Sequence, residues 1–215
     1  MVINKNDFIE IEFTGKLKGG EVFDSNVKSV LEKSNLNIPA KPFIFSVGNG
    51  MFLKAIENFL IGKDLGKYEV SLDAKDAFGE RNFKLIKRVP FGVFSEQNLN
   101  PSIGAIFNFD GKLGRVLSIS GGRVLVDFNN PLAGKDVEYS INVLRKVTDK
   151  NEQINAFNEF LFKQKIPFEI KDKKLILKID KQLKSLIPLF KQKYKELFGL
   201  DLEAEESGGK EKNEK

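Results

Sequence analysis

Residues 41–59, KPFIFSVGNGMFLKAIENF, set the tightest limits on how this chain can fold. Phe43, Phe45 and Val47 alternate with Ile44 and Ser46, the period of a half-buried strand. Gly48-Asn49-Gly50 then breaks the strand, because glycine and asparagine tolerate the backbone angles a tight turn needs. Beyond it Phe52, Leu53, Ile56, Phe59 and Leu60 recur at helical spacing. The segment therefore predicts strand, turn and short helix, with aromatic and aliphatic side chains converging on one side. From periodicity alone, an ordinary core is the plainer reading.

The flanking sequence adds more strands. Residues 8–13 (FIEIEF) alternate, and Thr14-Gly15 is read as their end. Gly19-Gly20 turns the chain into Glu21-Val22-Phe23-Asp24-Ser25. Residues 26–37 read as a loop with some helix, residues 67–72 as a strand, and residues 73–80 as a glycine-punctuated loop. The chain has no cysteine and no histidine. Thiolate and imidazole nucleophiles, disulfides and most zinc sites are therefore excluded. A carboxylate site for Mg²⁺ or Ca²⁺ stays open, but no EF-hand spacing occurs. No metal or cofactor is expected. Net charge is +5, from 35 basic and 30 acidic residues. No basic block with interleaved aromatics stands out, so nucleic acid is not the expected partner. No long uncharged apolar run and no basic-plus-apolar leader is seen, which predicts a cytoplasmic chain without a membrane span.

Five blocks in order, FIEIEFTGKL, GEVFDSN, KPFIFSVGNGMFLKAIE, AFGE and EYSINVLRKV, resemble the FK506-binding (FKBP-type) peptidyl-prolyl isomerases. The resemblance covers roughly residues 1–86 and 133–149. It implies an α+β fold in which a bent antiparallel sheet wraps a short helix, with a proline pocket between them. Phe13, Phe23, Asp24, Phe43, Phe52, Leu53, Ile56, Phe78 and Tyr139 fall on the family's pocket positions. The family usually has tyrosine where this chain has Phe13 and Phe78, and often tryptophan where it has Ile56. Losing the hydroxyl at Phe78 removes a hydrogen bond to the bound peptide. Losing it at Phe13 leaves Asp24 one partner fewer. Both losses bear against tight binding of the family's drug ligands and, to a lesser degree, against catalytic efficiency.

Such a pocket has a physical rationale of its own. Rotation about X-Pro crosses a barrier of roughly 18–20 kcal/mol, set by amide resonance. The twisted amide has less charge separation than the planar one, so a dry apolar cleft favours it relative to water. The Leu53 N–H, at the start of the helix, is the expected donor to the peptide carbonyl. Asp24 is expected to orient the rotating carbonyl region. No nucleophile, metal or proton transfer is required.

From Lys87 the pattern changes. Residues 105–109, 115–120 and 123–128 read as three short strands joined by glycine turns. So small a meander leaves apolar surface uncovered. The arrangement resembles the long, archaeal-type SlyD-like branch of the isomerases, with an insert-in-flap module at residues 87–132. That likeness implies a surface for unfolded chains, with Phe91, Val93, Phe94, Ile106, Phe107, Phe109, Leu117, Leu125 and Leu132 as candidates. An elaborated sheet extension is the plainer reading.

Residues 150–202 predict helix, hairpin and helix. Pro188 either kinks the last helix or sits in its first turn. So small a module needs a further surface to cover its apolar faces: the first domain, a client or a second copy of the chain. Homodimerisation through it is one expectation. Residues 203–215 carry mixed charge and none of the histidines that bind nickel in bacterial SlyD-like tails, and they are expected to be disordered.

The sequence thus supports a peptidyl-prolyl isomerase acting on unfolded or partly folded polypeptides with X-Pro bonds, joined to a client-binding insert. A holdase or assembly module with a weakened pocket is the alternative. A basic RNA- or ribosome-associated adaptor is a third reading.

Overall fold

The alternation at residue 8 continues as a ten-residue strand, β1 (Phe8–Leu17), with Phe8, Ile9, Ile11 and Phe13 buried. It does not stop at Thr14-Gly15. A Cβ on Gly15 would stand 2.9 Å from both Phe23 Cζ and Tyr139 Cε1. Gly15 is therefore glycine to let those rings cross the strand, not to end it. The computed structural model describes residues 1–206. They form two units: Met1–Gly15 with Val22–Val70 and residues from Tyr139 on, and Lys16–Glu21 with Ser71–Glu138.

In the first unit β1 is joined by β2 (Val22–Ser25), β3 (Phe43–Ser46), β4 (Gly66–Leu72) and β9 (Val137–Lys146). The order is β2-β1-β9-β4, with β3 antiparallel to β1 in the register Ile9↔Phe45 and Ile11↔Phe43. Helix α1 (Lys28–Ser34) follows β2, and α2 (Lys54–Leu60) follows β3. Gly48 and Gly50 hold φ of +81° and +70° in the turn between β3 and α2, angles that a Cβ would penalise. Ile56 and Leu60 of α2 are fully buried.

The C-terminal part of this unit starts where the sequence suggests, at residue 150. Helix α4 (Lys150–Phe162) begins four residues after β9 ends, and the Asp149 side chain caps it by accepting from the Glu152 N–H at 2.8 Å. Strands β10 (Phe168–Lys171) and β11 (Lys174–Ile179) form a hairpin. Its turn residues Asp172 and Lys173 both have positive φ, which matches the twist of the strands they join. A short α5 (Lys181–Lys184) precedes α6 (Ile187–Phe198), which carries Pro188 in its first turn, so the helix restarts rather than kinks.

One strand was not expected. Residues 201–206 form β12 (Asp201–Glu206), parallel to β11 with Leu175↔Leu202 and Leu177↔Ala204. Leu202 is buried, while Glu203 faces out and pairs with Lys174 at 2.8 Å. Alternating glutamates made this segment look like the start of a charged tail. The rest of that expected tail, residues 207–215, lies outside the described residues. The module rests on the first sheet, where Phe198 meets Phe8 with ring centroids 5.7 Å apart. The first domain thus covers one of its apolar faces.

The second unit contains an antiparallel sheet in the order β5-β8-β7-β6. Its strands are β5 (Ile86–Pro90), β6 (Ile106–Phe109), β7 (Lys112–Ser120) and β8 (Arg123–Asp127). Helix α3 (Phe91–Glu96) follows β5. Three of these strands match the expected meander; β5 and α3 are additions. Phe94, Val116, Val124 and Val126 form the core, with Val89, Leu99, Phe107, Phe109 and Phe128 packed on it. Gly114 sits in this core, where a Cβ would come within 2.5 Å of Val126 Cγ1 and 2.8 Å of Phe128 Cε1.

Candidate active site

Strand β1 carries Phe13, β2 carries Phe23 and Asp24, β3 carries Phe43, and β9 carries Tyr139. Phe52 and Leu53 lie on the segment leading into α2, and Ile56 in its first turn. Their rings form one cluster. Phe52 stands 5.0 Å from Phe13, 5.7 Å from Phe43, 5.6 Å from Phe45 and 5.6 Å from Tyr139, centroid to centroid. Phe23 meets Tyr139 edge-on at 5.8 Å. These separations are those of favourable aromatic pairs. Phe13, Phe45, Ile56 and Tyr139 are buried beneath; Phe23, Phe43, Phe52 and Leu53 are only half-buried. The result is an apolar surface on a rigid aromatic base, with Asp24 beside it.

Two sets of polar residues that sequence reading missed hold this surface in place. Ser25 and Asn26 tie the end of β2 to β1. The Asn26 side chain accepts from Phe13 N–H at 2.7 Å and donates to the Ile11 carbonyl at 2.9 Å, and Ser25 Oγ donates to the Phe13 carbonyl at 2.9 Å. With the Asn26 N–H donating to the Phe13 carbonyl at 3.2 Å, these bonds fasten the residues just after Asp24 to β1 at Phe13. Glu57 does the same for the other wall. It is 1% exposed, and its two oxygens accept from the Gly50 N–H at 3.0 Å and the Phe52 N–H at 2.7 Å. The loop before α2 is thereby clamped by a carboxylate from inside the helix. Leu53 is the N-cap of α2, and its N–H meets no acceptor among the described residues. A glutamate followed by Asn58 on a short helix looks like a solvated face; only its placement opposite two loop N–H groups reveals the clamp.

Burial raises the Asp24 carboxyl above the ordinary carboxylate range, opposed by the Ser25 backbone N–H, which lowers it. Burial, and then the negative charge of Asp24, push the Tyr139 phenol well above its usual value, so it stays protonated. A groove of about 800 Å³ adjoins Phe43. It runs along Lys41, Pro42, Ile44 and Met51 on one side and Asn155, Glu159 and Phe160 of α4 on the other. Among the described residues, no three His, Cys, Asp or Glu side chains come together as a metal site would require.

Phe78 belongs to the second unit, half-buried in the loop after the turn at Ala74–Asp76. The nine candidates for client contact also lie in that unit and divide between the faces of its sheet. Phe94 is 1% exposed and forms the centre of the core, so its expected place on an accessible surface is corrected. Phe107 and Phe109 also pack inward. Ile106, Leu117 and Leu125 lie toward the other face, where the exposed Leu113 joins them; Leu113 was missed. Phe91 is exposed, and Val93 and Leu132 are half-buried.

The sequence is similar to those of known proteins. Residues 2–92 match the family described as FKBP-type peptidyl-prolyl cis-trans isomerase, and residues 87–132 match that described as FKBP26, IF domain. A short-type peptidyl-prolyl cis-trans isomerase of Methanocaldococcus jannaschii is 26% identical over 146 residues, 66% of this chain and 92% of the relative. The FKBP-type peptidyl-prolyl cis-trans isomerase SlyD of Vibrio cholerae is 27% identical over 149 residues, 67% of this chain and 68% of the relative. The FKBP-type 16 kDa peptidyl-prolyl cis-trans isomerase of Escherichia coli strain K12 is 32% identical over 148 residues, 66% of this chain and 92% of the relative. With an aromatic cluster and a flanking carboxylate carried by one sheet and the lead-in to a short helix, this chain belongs to the FKBP-type peptidyl-prolyl cis-trans isomerases.

Proposed function

We propose that the chain catalyses cis-trans isomerisation of X-Pro bonds in unfolded or partly folded polypeptides. Phe13, Phe23, Asp24, Phe43, Phe52, Leu53, Ile56 and Tyr139 carry the reaction. The observation that supports this most is the ring cluster around Phe52 beside Asp24, with the unengaged Leu53 N–H at its edge. The pyrrolidine ring rests on Phe23, Phe43 and Phe52. The Leu53 N–H donates to a substrate carbonyl and fixes one side of the amide. The other side rotates over an apolar surface, where loss of amide charge separation costs less than in water. Asp24, which can accept but not donate hydrogen bonds when ionised, orients the substrate's polar edge. Groove residues next to Phe43 receive the chain flanking the proline.

Residues 87–132 act in this reading as a module that holds client chains through the open face of the inserted sheet. Holding a client raises the local concentration of its prolines at the isomerase site. Residues 1–86 with 133–149 make the isomerase domain and residues 150–202 a C-terminal domain. Exposed Leu186 and Leu189 on the latter suit a second copy of the chain. An unchanged sedimentation mass after removal of residues 150–215 would count against that dimer. The protein works in the cytoplasm.

The test is peptide isomerisation. Phe52→Ala and Asp24→Ala should each lower kcat/KM by about tenfold or more, corresponding to ~1.4 kcal/mol of lost transition-state stabilisation, with the far-UV circular dichroism unchanged. Unaltered rates in both variants would remove these residues from the site. Suppressed aggregation of a client, with no isomerisation by the intact protein, would favour the holdase alternative.

A further inference from the structure

The open face of the inserted sheet combines apolar side chains with cations that have no ion-pair partner among the described residues. Strand pairing sets Ile106 opposite Arg115, Arg115 opposite Asp127, and Arg88 opposite Leu125. Successive side chains alternate between faces, so these residues share the face turned away from Phe94. Asp127 is already engaged: it pairs with Arg81 and accepts from the backbone N–H and the side-chain amide of Asn129. Those contacts hold its carboxyl below the ordinary range despite partial burial. Arg88 and Arg115 have no acidic partner among the described residues. A cavity of about 250 Å³ opens on this face. Ile106, Leu113, Leu117 and Pro131 supply its apolar lining; the Arg81–Asp127 pair and two cations without an ion-pair partner among the described residues, Arg115 and Lys135, supply its charge.

We propose that this cleft recognises polypeptide segments in which a carboxylate side chain neighbours an apolar one, so that the insert selects acidic over basic clients. The proposal rests on the client-holding reading above and adds its selectivity. Apolar contact supplies affinity to any unfolded chain. Arg115 and Lys135, which have no ion-pair partner among the described residues, then set its sign, because a lysine-bearing segment would bring like charge to both. Arg115 suits this role further, since its planar guanidinium meets a carboxylate with two parallel N–H donors.

The experiment uses the full chain and three extended, proline-free peptides of one apolar sequence, differing only in glutamate, glutamine or lysine at two positions. Affinities are read by fluorescence anisotropy at low and high salt. The expected order is glutamate, then glutamine, then lysine. About threefold to tenfold should separate the first from the last at low salt, the range for exposed charge pairs, and less at high salt. The double variant R115E/K135E should reverse the order, an outcome that simple loss of structure would not produce. Equal binding of all three peptides overturns the charge selectivity while leaving client holding intact. No binding of any peptide overturns both. Tighter binding of a single-stranded oligonucleotide than of the glutamate peptide would reassign the cleft to nucleic acid and overturn the proposal.

Discussion

Replacing Glu57 by alanine tests how the candidate site is held together. The carboxylate is almost wholly buried and accepts the Gly50 and Phe52 N–H groups at 3.0 and 2.7 Å. Neither donor has another acceptor among the described residues. Gly50 is exposed, so water can take over its N–H; Phe52 is half-buried and its N–H is harder to rehydrate. A hydrogen bond to a charged group is worth about 1.5–3 kcal/mol, and a buried donor left unpaired costs about 1–3 kcal/mol. Relief of the buried carboxylate offsets part of this. The expected net loss is about 2–4 kcal/mol. It is measured as a fall in the urea midpoint at unchanged slope, followed by circular dichroism because the chain has no tryptophan. Glu57→Gln keeps one acceptor oxygen and should lose about half as much. Peptide isomerisation should fall in parallel, since Phe52 and the Leu53 N–H sit on the released loop. A loss below about 0.5 kcal/mol, or full isomerase activity in the alanine variant, would refute the clamp.

Other expectations follow from the same contacts. Gly15→Ala places a methyl group 2.9 Å from Phe23 and Tyr139, so stability should drop by about 1–3 kcal/mol, the range for overpacking, and peptide turnover should fall with it. Gly114→Ala strikes Val126, Phe128 and Phe109 in the inserted sheet. It should spare short-peptide isomerisation and impair acceleration of protein refolding; equal damage to both substrates would refute the division of labour. Asp24→Asn has a pH signature. Burial raises the folded carboxyl's pKa, so between the unfolded and folded values the folded state binds more protons and stability falls as pH rises. The asparagine variant should therefore gain in Tm relative to the parent from the acidic range to neutrality, with no gain below the unfolded value of an aspartate. A constant difference across that range would contradict the burial argument.

Period-two alternation made β1, β4 and β11 readable from sequence, because each buries every other side chain more deeply than those between; β3 alternates in sequence too, although Ser46 on its polar side is buried as fully as Phe45. Chain breaks were harder. Gly15 reads as a terminator, yet it lies mid-strand to admit two rings brought from residues 23 and 139. Strand β5 was obscured by Pro90, which an edge position tolerates. Strand β12 was hidden by its glutamates, because burial of Leu202 depends on a parallel partner some 27 residues upstream. Within the site, the aromatic positions were legible as a resemblance, while Glu57, Ser25 and Asn26 were not. Their work is to satisfy backbone groups of segments distant in sequence, and local pattern carries no trace of that. Phe94 failed in the other direction: amphipathic spacing cannot say which face of a small sheet a helix will cover.

The most direct test of the account is the refolding of a model protein whose slow phase is limited by X-Pro isomerisation, with the intact chain added in catalytic amount. Acceleration proportional to the concentration of added chain, lost in Phe52→Ala, is the result predicted. A slow phase that keeps its uncatalysed time of tens to hundreds of seconds, even as the chain suppresses aggregation, would contradict it.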